Sequence, residues 1–112
     1  MENYEYKYKL YGAILGDLAG QPYERGVAPT GKIKIHNPDS VITDDSLMTL
    51  ASASSILTGQ PIDEAYKEMG KRYPVDSYGK GFKDWLKSPK GTIGTSWANG
   101  CLMRVSPFMY LP

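Results

Sequence analysis

Two aspartates stand side by side in "VITDDSLMTLASASSIL", residues 41–57, where an apolar helical pattern begins. A hydroxyl and two adjacent carboxylates leaving one helix start can all reach a single point. Hard cations such as Mg²⁺ take oxygen donors of this kind. Thr43, Asp44 and Asp45 are therefore candidate metal ligands. The same residues also suit a plain helix start, since threonine is a favoured N-cap and first-turn aspartates are stabilised by the positive end of the helix. Both readings stand on the sequence. One tripeptide rarely fills an octahedral shell, so a metal would need further oxygens from elsewhere.

A second stretch with chemical potential is "GAILGDLAGQPYE", residues 12–24. Asp17 lies on a helix turn that is otherwise small or apolar, and Glu24 follows the helix end among Gly20, Pro22 and Tyr23. A lone surface glutamate is most often solvated, but an acid held on a loop can also line a cleft. The third stretch is "GTIGTSWANGCLMRVSP", residues 91–107. Gly, Ser, Thr and Asn before a helix are the material of an anion-cradling loop, whose N–H groups can point at phosphate. No Gly-Lys-Ser/Thr follows, so composition alone reads as an ordinary loop. Arg104 suits either a phosphate or a neighbouring acid, and Cys101 reads as an inert thiol, with no histidine near it in sequence. The only histidine, His36, has neither a second histidine nor a cysteine pair beside it, which argues against zinc.

These residues need elements to hold them. Tyr8, Tyr11, Ile14, Leu15 and Leu18 recur at helical spacing and predict a helix over 6–19, stopped at "GQPYERG". Gly12, Gly16 and Gly20 lie one turn apart along it. Glycine costs a helix about 1 kcal/mol against alanine, so the stripe predicts a backbone or ligand in close approach. Residues 27–40 read as an irregular connection, with "KIKIH" as a possible extended piece and "NPD" as a turn. Thr43 starts a helix expected to bury Leu47, Leu50, Ala51, Ser54 and Leu57, and "TGQP" ends it. The next helix spans 62–72, with Ile62, Ala65, Tyr66, Met69 and Tyr73 on one stripe, acids in its first turn and bases in its last. Phe82, Trp85 and Leu86 mark a short amphipathic helix, and 102–110 a last one weakened by Pro107. The result is one all-α domain of four to five helices with long loops.

Composition narrows the functions. Thirteen basic residues against twelve acidic ones leave a net charge of +1, too little for a general attraction to nucleic acid or anionic membranes. A single cysteine permits no intrachain disulfide and fits a reducing, cytoplasmic setting. The charged, aromatic N-terminus does not read as a signal peptide. The longest uncharged stretch is broken by Ser, Thr, Gly, Gln and Pro, so no membrane span is expected. Nine tyrosines and two tryptophans supply flat surfaces for a core or for stacking.

In order, "GAILGDLAGQPYE", "TDDSLMTLA", "RYPVDSYGKGFKDWL" and "SWANGCLMRVSPF" resemble the N-terminal part of the ADP-ribosylglycohydrolase family, most nearly its bacterial branch related to the dinitrogenase-reductase-activating glycohydrolases. The resemblance covers about residues 10–108 of the chain. It implies an all-helical fold around a cleft holding Mg²⁺ (or Mn²⁺), and hydrolysis of the glycosidic bond of an ADP-ribosyl group. It places Thr43, Asp44 and Asp45 on the metal, and Glu24 and Asp45 at the chemistry. It lays Asn99, Gly100, Cys101, Leu102, Met103 and Arg104 along the ADP-ribose. Ala98 stands where the family's loop usually has glycine, and Cys101 where it has a small residue, often serine.

Family members are more than twice this long, and their second metal motif, Asp-x-Asp-Thr, lies in their C-terminal half; these 112 residues contain no such motif. The expected function is thus a hydrolase whose site is completed by a companion chain or a homo-oligomer. A non-catalytic module that sequesters ADP-ribose or a cyclic relative is the alternative, and an inactive fragment a third.

Overall fold

The computed structural model describes residues 10–26, 28–94 and 100–111. Five α-helices follow one another: α1 (Tyr11–Gly20), α2 (Asp44–Thr58), α3 (Ile62–Arg72), α4 (Lys80–Leu86) and the single turn α5 (Gly100–Met103). Two 3₁₀ turns, Gln21–Tyr23 and Ser106–Tyr110, extend α1 and follow α5. No strand occurs among the described residues. The chain is all-α, as its periodicity predicts. "KIKIH" forms no strand: it pairs with no other segment among the described residues and leaves Ile33 and Ile35 exposed. The turn at 37–39 does form, with the Asp39 N–H donating to Asn37 Oδ1 at 3.0 Å and the Ser40 N–H to the Asn37 carbonyl at 3.1 Å.

Helix α2 is the element the others pack on: α1, α3, α5 and the second 3₁₀ turn all touch it, and α4 leans on α3. It begins at Thr43, whose hydroxyl accepts the Asp45 N–H, and ends at Gly59, whose φ of +75° is open to glycine at little cost. Helix α3 carries Asp63 and Glu64 in its first turn and Lys71 and Arg72 in its last, matching the helix dipole. Lys67 ties α3 to the end of α4, donating to the Ser88 carbonyl at 2.7 Å while its ammonium lies 4.8 Å from the Trp85 ring. The core is Leu47, Met48, Ala51 and Tyr78, with Tyr66, Met69, Val75, Phe82 and Met103 packed around it.

The buried face of α2 differs from the expected Leu47–Leu50–Ala51–Ser54–Leu57 stripe. Ser46, Leu47, Met48, Thr49, Ala51 and Ser52 are buried, Leu50 and Ser54 are half-buried, and Leu57 is 85 % exposed. The cause is where neighbours lie. They surround the N-terminal half of α2 on more than one side, while its C-terminal turn projects past them. Polar residues can enter this interface because each finds a partner: Ser46 bonds Asp17, Thr49 sits 2.7 Å from the carbonyls of both Asp45 and Met103, and Ser52 meets the Tyr66 hydroxyl at 2.8 Å.

The predicted helix over 102–110 divides into α5 and a 3₁₀ turn that starts with Pro107 near its beginning. Pro107 has no N–H to give the Met103 carbonyl four residues back. Thr49 supplies that carbonyl with a hydroxyl instead. The glycine stripe of α1 has no other backbone in close approach among the described residues. A Cβ at Gly12, Gly16 or Gly20 would meet no atom within 4 Å among the described residues.

Met48 is wholly buried and Leu57 almost wholly exposed. Met48→Ala should lower the unfolding free energy by about 2–5 kcal/mol in urea titrations, and Leu57→Ala by less than about 0.5 kcal/mol. Equal losses would contradict this placement of the core.

Candidate active site at the start of α2

The first N–H groups of a helix have no partner inside it. At α2 each finds one. The Asp44 N–H donates to Ser77 Oγ at 2.9 Å, the Asp45 N–H to Thr43 Oγ at 3.1 Å, and the Ser46 N–H to Asp17 Oδ2 at 3.3 Å. Asp17 does more. Its Oδ2 also accepts the Thr43 N–H at 2.8 Å and the Ser46 hydroxyl at 2.6 Å, and its Oδ1 accepts the Thr43 hydroxyl at 2.7 Å.

Capping is thus carried by Thr43, Asp17 and Ser77. The side chains of Asp44 and Asp45 take no hydrogen bond or ion pair from the described residues. They are spare acceptors at a helix start.

The two carboxylates border different hollows. Asp45 lines one of about 370 Å³ with Gly16, Asp17, Gly20, Glu24, Leu102 and Met103. Asp44 lines one of about 540 Å³ whose walls include Tyr66, Phe82, Trp85, Cys101 and Arg104. In the second, Trp85 donates its indole N–H to the Thr92 carbonyl at 2.6 Å, and a Cβ at Gly94 would lie 3.2 Å from the Trp85 ring. Glycine lets this loop lie against the aromatic wall.

Burial first, then the charges of Asp44, Asp17 and Glu24, push the Asp45 carboxyl up to about 6. Burial, with Asp44 adding to it, likewise pushes the Tyr78 phenol up to about 12. The helix start therefore carries excess negative charge.

Glu24 is exposed on the turn after the first 3₁₀ segment and borders the same hollow as Asp45. Thr43 is buried; its hydroxyl donates to Asp17 and accepts from Asp45, which leaves one lone pair. Gly100, Cys101 and Arg104 border the larger hollow, Leu102 the smaller one and Met103 both. Asn99 lies outside the described residues. Arg104 turns inward: its guanidinium lies 4.8 Å from the Tyr66 ring and 5.6 Å from that of Phe82, and its Nε is buried without a hydrogen-bond partner among the described residues.

Asp17 is the residue whose role sequence reasoning missed. Its only signal was an acid on an otherwise small or apolar helix turn. Ser77 gave none, since a serine in "YPVDSYG" reads as turn material.

The oxygen chemistry of Thr43, Asp44 and Asp45 fits a hard divalent cation. Their number does not complete its shell: among the described residues no three acidic, histidine or cysteine side chains converge closely enough to hold a metal ion. Such an ion would keep water, or ligands from outside the described residues, on most of its sites. No described helix is long and apolar enough to cross a membrane.

With this geometry in hand, the comparison with known families is decisive. The ADP-ribosylglycohydrolase family model matches residues 6–112. The chain belongs to the ADP-ribosylglycohydrolase family. Comparisons with curated proteins and with solved structures give no match. The family is one of ADP-ribosyl hydrolases that typically depend on a metal ion. Membership makes ADP-ribosyl compounds the ligand class to test.

The raised Asp45 carboxyl has a consequence for stability. Unfolded, it titrates near the ordinary aspartate value of 3.8; folded, it titrates at about 6. The native state therefore holds this proton more tightly, and its stabilising effect is full below about pH 4 and lost as pH rises through 6. In metal-free buffer, Asp45→Asn should melt at a higher temperature than wild type at pH 8, with the gap closing near pH 4. A gap that widens on acidification would contradict the assignment.

Proposed function

We propose that the chain is an ADP-ribosyl hydrolase that cleaves the glycosidic bond at the ribose of an ADP-ribosyl group, with affinity to the bacterial branch of the family noted above. The observation that carries this reading is the helix start whose N–H groups are all satisfied, leaving Asp44 and Asp45 spare, with Asp45 bordering the same hollow as Glu24.

Cleavage of such a bond passes through an oxocarbenium-like state, and water must arrive with its proton removed. Glu24 and Asp45 border one hollow of about 370 Å³, and either can accept that proton. Thr43, Asp44 and Asp45 would supply the oxygens of this chain to a Mg²⁺ or Mn²⁺ ion, which in such sites orients ribose hydroxyls and polarises water. The larger hollow suits the rest of the ligand. Tyr66, Phe82 and Trp85 offer ring surface, and the Gly91–Gly94 and Gly100 backbone can come close to a diphosphate.

Leu57, Ile93, Leu102 and Met109 are strongly exposed, and we place them at contacts with a second copy or a companion chain that would complete the site. A second reading is sequestration of ADP-ribose without turnover. The failure of the described acids to converge in threes favours it.

The test is release of free ADP-ribose from an ADP-ribosylated peptide, with Mg²⁺ or Mn²⁺ added. Glu24→Gln and Asp45→Asn should each lower the rate by about 10²–10⁴-fold. No release by the wild type with either metal would contradict hydrolysis. A rise in melting temperature with ADP-ribose, the ligand being recovered intact, would establish the binding module instead.

A further inference from the structure

The carboxylate of Asp17 has a set of partners that a surface acid does not acquire by accident. It stands on α1, yet all its hydrogen bonds run to residues 26 and 29 positions away, at the start of α2. All four partners are donors: the N–H and hydroxyl of Thr43, and the N–H and hydroxyl of Ser46. Only an acceptor-only group satisfies four donors with two oxygens, which is the property of an ionised carboxylate. Charge-assisted bonds of this kind are about twice as strong as neutral ones. Asp17 grips the residue before Asp44 and the residue after Asp45, so both spare carboxylates lie within one clamped segment.

We infer that Asp17 is a positioning residue: it fixes the direction in which α2 begins, and so where Asp44 and Asp45 stand relative to Glu24. Ser77 alone, bonded to the Asp44 N–H, fixes one point and leaves rotation about it. Asp17 adds contacts on both sides of that point and anchors them to the helix that leads into Glu24. The hydroxyl proton of Thr43 is also aimed at Asp17, away from the Asp45 N–H that bonds the same oxygen. This inference rests on the proposed hydrolase reading for its functional meaning, while its structural content is independent of it.

Two variants separate the parts. Asp17→Ala removes all four bonds. In Asp17→Asn the amide oxygen can keep the three donors now on Oδ2, but the NH₂ then faces the Thr43 hydroxyl and reverses its proton. Hydrogen–deuterium exchange, followed residue by residue, reads the clamp directly. The amides of residues 43–47 should exchange faster in both variants, more so in Asp17→Ala, while those of residues 50–57 and 62–72 keep wild-type protection. At a temperature where circular dichroism shows both variants folded, kcat for ADP-ribose release should fall about tenfold in Asp17→Asn and on the order of 100-fold in Asp17→Ala, with KM little changed.

Unchanged exchange at 43–47 in both variants overturns the inference. So does protection lost evenly over α2 and α3, because Asp17 would then be holding the whole fold. Local loosening with unchanged kcat overturns it as well, since the clamp would be structural only. A wild type without turnover sinks the proposed hydrolysis instead, and the exchange pattern alone then decides whether Asp17 holds the helix start.

Discussion

Every α-helix begins with N–H groups that its own backbone leaves unpaired, and much of this chain is arranged around how α2 meets that requirement. The Asp17 carboxylate on α1, the Thr43 hydroxyl and the Ser77 hydroxyl near α4 together satisfy the Asp44, Asp45 and Ser46 amides. These contacts bring three distant parts of the chain to one point. A helix start could instead have used its own first-turn acids. Here those acids are relieved of that duty, and two carboxylates are left beside one another with no positive group against them among the described residues. The half-burial of Asp45, and secondarily the charges of Asp44, Asp17 and Glu24, cost stability, and the rise of Asp45 to about 6 expresses that cost.

The rest of the fold can be seen as support for this arrangement. Thr49 takes over the Met103 carbonyl that Pro107 cannot serve, which fixes α5 against the middle of α2. The Gly100 segment is thereby held across from the acids. Ser52 and Tyr66 join α2 to α3, and Tyr66 in turn carries the inward-facing Arg104. Packing and polar pairing are therefore one system. The side chains that close the core also set the walls of the two hollows. An arginine stacked on two rings stiffens that wall, and a cation over an aromatic face is worth about 0.5–2 kcal/mol.

Much of this was legible in the sequence because local rules and tertiary packing agree. Helix α3 has its expected bounds, since apolar spacing, first-turn acids and last-turn bases all point the same way. The caps at Thr43 and Gly59 follow from residue type. The errors arise where a distant partner decides. Leu57 reads as core by periodicity but is left uncovered by the described residues. Ser46 and Ser52 lie outside the expected buried stripe, yet they are buried, with partners Asp17 and Tyr66 29 and 14 residues away. For the same reason Asp17 stood out as unusual without revealing its four donors, and Ser77 did not stand out at all. The glycine stripe of α1 predicted a backbone or a ligand in close approach; no backbone comes near it among the described residues, and Gly16 and Gly20 border the hollow that holds Asp45 and Glu24.

The central claim is that the Asp45 carboxylate stands uncapped within a cluster of negative charge. A carboxyl carbon NMR titration of Asp45, in the full chain without divalent cations, measures this directly. A midpoint of about 6 is the predicted result. A midpoint near 4, the value of an ordinary solvated aspartate, would contradict the account.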